Sequence, residues 1–174
     1  MPDPTRPSAV VLASAPVLTR YVAGFTDETR TRQTPDLPNH VAWTLGHCAY
    51  TMGRLVERFG GPDLPAADFI DNAGRGAGPD RYDFQLLRLG STPIDDVSLY
   101  PRLVRCVAIF EAAAERLAST EQAAAPSDLD ASVDWGGTPR TLGELVIRVS
   151  LHNATHAGQL ADLRRALGMP RVFA

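Results

Sequence analysis

Four histidines, His40, His47, His152 and His156, are the residues whose type and spacing can do chemistry. The last two form His-x-x-x-His. On a helix, residues i and i+4 stand one turn apart on the same face, so both imidazoles can converge on one metal ion. His47 lies in the middle of an earlier helical segment. Packed against the later one, it would supply a third nitrogen. Three neutral histidines with an open fourth position make a catalytic zinc site. The same pair can equally be solvent-exposed or hydrogen-bonded. Asn153 follows His152, so this is not the His-Glu-x-x-His of metalloproteases. There is also no Glu-x-x-His pair of the kind found in di-iron bundles. His40 stands seven residues before His47, ~10.5 Å along a helix axis and too far to share the ion. It is expected at a helix start.

Several neighbours fall on the same faces. Gln159 is i+3 from His156 and i+7 from His152, placed either to orient a ligand from behind or to sit as a surface amide. Gly158 would let a neighbouring helix approach. Arg148 lies one turn before His152 and Arg54 two turns after His47. Either can hold a substrate carboxylate at a pocket edge or form a solvated rim. Thr44, Tyr50 and Thr51 surround His47, with pocket lining and core packing both open to them. Trp43 is expected in the core or against the loop that follows. Asp134 and Trp135 sit in a turn, DWGG, that can overhang the site. Asn153 and Asp162 do not project with the histidine pair. No carboxylate stands beside the histidines as a general base.

The elements that must position these residues are helical. A first helix is expected from about Ser8 to Asp27, kinked at Pro16 or starting near Ser14. A second follows Asn39 as N-cap and ends at Gly60-Gly61. Residues 61–92 form a long Gly/Pro-rich connection with a short helix around Asp80 to Leu87. A third helix starts between Pro93 and Ser98, with Pro101 in its first turn. The fourth opens on a Thr141–Glu144 capping box and stops at Gly168-Met169-Pro170. Four long helices and almost no strand pattern make an all-α, four-helix bundle the expected architecture, as one domain over 1–174.

Composition narrows the chemistry. All 17 basic residues are Arg. Without lysine there is no Schiff base and no P-loop nucleotide site. The net charge of −3 gives no basic excess for a nucleic acid. No apolar run approaches the ~20 residues of a membrane span. The N-terminal AVVLASA is too brief for a signal peptide, so a cytoplasmic location is expected. Cys48 and Cys106 lack metal-pair spacing and read as reduced core residues. Most arginines are expected on the solvated surface.

The segment TLGELVIRVSLHNATHAGQLADLRRALGMP closely resembles the last helix of the DinB/YfiT-like proteins, with His152, His156, Gly158, Gln159, Arg164, Arg165 and Gly168 in register. LPNHVAWTLGHCAYTMGRL resembles that family's second helix, with Trp43, Gly46 and His47. The resemblance implies a four-helix bundle holding one divalent metal on His47, His152 and His156. Zinc is favoured, with nickel, iron or manganese as alternatives. It also implies an enzyme acting on a small-molecule substrate, as a transferase using a small cellular thiol cosubstrate such as bacillithiol or mycothiol. The alternatives are a metal-dependent hydrolase and a non-catalytic metal-binding bundle. A metal ion serves either enzyme, since it lowers the pKa of bound water to ~7 and deprotonates a bound thiol. A homodimer is expected by the same resemblance.

Overall fold

Apolar side chains recurring at helical spacing build four helices in this computed structural model, which describes Asp3 and residues 5–173. They are α1 (Ser8–Arg20), α2 (Val41–Arg58), α3 (Leu103–Ala123) and α4 (Leu142–Ala166). Helix α1 packs on α3 and α4, and α2 packs on the same two. The α2 stripe Val41, Leu45, Cys48, Met52 and Leu55 is fully buried, as are Ile109, Phe110 and Leu117 of α3. The α4 stripe Leu145, Val149, Asn153, His156, Leu160 and Leu163 carries polar residues within its buried face. Two of the three candidate ligands, His47 and His156, therefore occupy core-facing positions. No described helix is long and apolar enough to cross a membrane.

Several boundaries differ from expectation. Helix α1 begins at Ser8, with Pro16 inside it, and stops at Arg20 rather than Asp27. The chain then turns through Gly24 at φ +84°, while Val22 and Phe25 still reach the core. His40, not Asn39, caps α2, its Nδ1 accepting the Trp43 N–H at 3.1 Å. Helix α3 starts after Pro101 because the proline holds Tyr100 extended, at φ −127° and ψ 153°. The Thr141 hydroxyl caps α4 through the Glu144 N–H. The Glu144 carboxylate pairs with Arg140 at 2.6 Å instead of closing a capping box.

The structure adds two small sheets. Between α2 and α3, β1 (Phe69–Ile70) pairs in parallel with β2 (Tyr82–Asp83), followed by a 3₁₀ turn over Phe84–Leu86 where a short helix was expected. Buried Asp83 ties this segment together by accepting the N–H groups of Asn72, Gly76 and Gln85. Before α4, β3 (Ser132–Trp135) and β4 (Thr138–Thr141) form an antiparallel hairpin. Gly136 and Gly137 close it at positive φ, as a two-residue hairpin turn requires.

Two arginines expected at the surface are buried. Arg30 donates to the carbonyls of Pro101 (2.6 Å), Val97 (2.6 Å), Tyr100 (3.0 Å) and Asp27. Arg164 donates to those of Tyr21 (3.1 Å), Ala23 and Pro170 (2.9 Å). A guanidinium offers five donors in a rigid fork, so it can satisfy several orphan carbonyls where an ammonium cannot. Cys48 and Cys106 are free and buried. Burial pushes both thiols up, Cys106 to about 12, which makes them packing residues rather than nucleophiles.

Candidate metal centre

Helices α2 and α4 bring His47, His152 and His156 together. His152 Nε2 stands 3.1 Å from His47 Nε2 and 3.2 Å from His156 Nε2. All three ligand atoms lie within 4.8 Å of one another, a cluster that could hold a metal ion. Tetrahedral ligands at the ~2.0–2.1 Å of zinc–nitrogen bonds stand ~3.3 Å apart, close to these spacings.

The hydrogen bonds behind the rings fix which nitrogens are available. His47 Nδ1 lies 2.6 Å from the Leu87 carbonyl, and His156 Nδ1 lies 2.8 Å from Gln159 Oε1. Both partners can only accept, so each Nδ1 carries the proton and each Nε2 presents a lone pair. Two lone pairs thus point at one His152 nitrogen, which has at most one proton to share between them. His152 Nδ1 is itself buried without a partner. A cation among the three nitrogens resolves this convergence, and the donor set fits such an ion.

Electrostatics keeps the rings in the ligand form. Burial lowers the pKa of His47. Burial and then the neighbouring His47 push His152 down to about 4. Burial and then the other two rings push His156 down to about 3. All three are neutral imidazoles near pH 7.

The long connection between α2 and α3 holds His47 in place. It delivers the Leu87 carbonyl, and this close approach depends on Gly46. A Cβ at Gly46 would fall 2.6 Å from Tyr82 Cε1 and 2.8 Å from Leu87 Cδ2. Trp43 stacks on His47 with ring centroids 4.4 Å apart and planes at 9°. Its Nε1–H donates to the Leu86 carbonyl at 2.9 Å. The loop contact was anticipated; the stacking was not, although Trp43 and His47 are i and i+4. Gln159 acts from behind the ligand, and its Oε1 also accepts from Asn39 Nδ2 at 3.0 Å, tying the start of α2 to α4.

Other expected residues fall elsewhere. His40 is buried against Ile94 and Tyr100, with Nε2 3.1 Å from the Ile94 carbonyl, and does not join the cluster. Gly158 is exposed and a Cβ there would meet nothing, so it is not a close-packing position; Gly46 is. Asn153 is buried beside Met52. Thr51 donates to the His47 carbonyl at 2.8 Å.

Two clefts open onto the cluster, of about 350 Å³ on the His47 side and about 300 Å³ on the other. Thr51, Trp135 and His152 line both, so the β3–β4 hairpin does overhang the site. Arg54 and Arg58 border the larger cleft, and Arg148 the smaller. All three are exposed. Arg54 is paired with Glu57. Among the described residues, no Asp or Glu lines either cleft.

The family model of the DinB superfamily matches residues 13–160, which include all three histidines. The chain belongs to the DinB superfamily. No curated protein matches it. Among solved structures it is similar to a conserved protein from Enterococcus faecalis, with a TM-score of 0.69 and 15% identity over 95% of this chain and 96% of that one. That similarity concerns the fold.

Proposed function

We propose that this DinB-superfamily chain is a metal-dependent transferase joining a small cellular thiol to an electrophilic small molecule. The observation that carries this reading is the lining of the two clefts. Its arginines suit anionic reactants, and among the described residues it offers no carboxylate that would assist the metal in taking a proton from water. A thiol needs less help, since its pKa already lies far below that of water. A divalent ion on the three Nε2 atoms, for which imidazole donors suit zinc, would lower the pKa of a thiol further.

The chain's own residues do the rest. The Leu87 carbonyl and Gln159 hold the Nδ1 protons of His47 and His156, which keeps their Nε2 atoms free. Trp43 covers one face of His47. Arg54, Arg58 and Arg148 draw anionic reactants to the cleft mouths. In the transfer, the S–H proton passes to solvent and the sulfur pair forms the new C–S bond. The leaving group departs with the electrons of the bond it breaks.

The test is metal analysis of protein purified without added metal. One divalent ion per chain is expected, and its loss in His47→Ala and His156→Ala. Metal-free wild type overturns the reading. With metal present, product formation from a thiol and a chloronitrobenzene is compared with ester and amide hydrolysis. Turnover that ignores the thiol would assign the chain to the hydrolases instead.

A further inference from the structure

The linings of the two clefts share Thr51, Trp135 and His152. The larger one contains two of the three clustered histidines, His47 and His152; the smaller contains His152 alone. A group that must place its sulfur at the cluster is therefore best served by the larger cleft. Along α2, Arg54 lies seven residues beyond His47 and Arg58 eleven, or ~10 and ~16 Å by helical rise. Arg54 is engaged by Glu57, whereas Arg58 has no acidic partner among the described residues. On the other side, Arg148 precedes His152 by one turn, also without an acidic partner among the described residues, above the apolar walls of Leu145 and Val149. Each cleft thus pairs a share of the cluster with its own unneutralised guanidinium, and Trp135 borders both.

Resting on the thiol reading above, we propose that Trp135 divides the site into two subsites. The larger holds a carboxylated thiol extended ~10–16 Å along α2, with its carboxylate at Arg58 and Arg54. The smaller holds the electrophilic acceptor beside Arg148. The reactants then approach His152 from opposite sides, so the C–S bond forms at the shared wall while the leaving group exits past Arg148.

The test uses binding rather than turnover. The cobalt-loaded protein is titrated with glutathione, which carries carboxylates, and with uncharged 2-mercaptoethanol, each followed by the sulfur-to-cobalt absorption band. Glutathione should bind more tightly than 2-mercaptoethanol. Arg58→Ala should weaken glutathione by up to about fivefold, the scale of an exposed ion pair, and leave 2-mercaptoethanol unchanged. Arg148→Ala should leave both thiols unchanged and raise the KM of an anionic acceptor instead. In Trp135→Ala the clefts merge, and Arg148→Ala added to it should then weaken glutathione. If 2-mercaptoethanol gives the band but glutathione gains nothing from Arg58, or depends equally on Arg148 in the parent protein, the subsites are overturned and the thiol reading stands. If neither thiol gives the band, both are overturned.

Discussion

Replacing Gln159 by leucine isolates the role of the residue behind His156. In the folded chain Gln159 Oε1 accepts two hydrogen bonds, from His156 Nδ1 at 2.8 Å and from Asn39 Nδ2 at 3.0 Å. Leucine keeps the helix and roughly the volume but accepts nothing. The His156 Nδ1–H then sits in a largely buried position without an acceptor, at a cost of about 1–3 kcal/mol. The ring can escape by moving its proton to Nε2, which removes the lone pair a metal needs. Either way the penalty falls on the metal-bound state, and about 1.5–2.5 kcal/mol corresponds to roughly 10- to 70-fold weaker binding. Gln159→Glu supplies an acceptor to both partners and a more basic ligand, so its affinity should equal or exceed that of wild type. Zinc affinity is read by competition with a chromophoric chelator at pH 7.5, with circular dichroism confirming helix content. Leucine binding within about twofold of wild type, or glutamate as weak as leucine, would refute the orienting role.

Two further outcomes concern the scaffold. Arg30→Lys should lose about 3 kcal/mol in urea unfolding, because one ammonium cannot reach the four carbonyls that the guanidinium bonds; near-wild-type stability would show these bonds to be dispensable. His40, pushed by burial down to about 4 from 6.5, contributes stability that is full above pH 6.5 and is lost as pH falls toward 4. By pH 4.5 that loss is about 2.5 kcal/mol. His40→Asn keeps the N-cap without titrating, so the difference between the two proteins, in which the other histidines cancel, should shift by about that amount between pH 7 and 4.5. Parallel pH profiles would exclude His40 as the cause.

Much of the architecture was readable because it rests on local periodicity. The α2 and α4 stripes, the Thr141 cap and the stop at Gly168 are all patterns within a few residues, where one turn of helix dictates the spacing. The β3–β4 hairpin carried a signal too. Gly-Gly between short segments containing Val133, Trp135 and Thr138 is a two-residue hairpin turn, but the segments are too short to alternate clearly. The late start of α3 was likewise available from Pro101, which disfavours helix at Tyr100.

By itself the sequence determined the His152–His156 pair, the i+3 placement of Gln159 behind it and the absence of lysine chemistry, since each follows from residue type and helical rise. Only the tertiary structure decided that His47 Nε2 comes to 3.1 Å from His152 Nε2, and that the Leu87 carbonyl, 40 residues along the chain, fixes its tautomer. Likewise it decided which arginines go inward. Arg30 looks like any other arginine in sequence and the family register of Arg164 says nothing of its burial, because the carbonyls they satisfy come together only when distant turns pack. Trp135 came to line both clefts beside His152 for the same reason: its place depends on how the hairpin packs against α4, which no local pattern encodes.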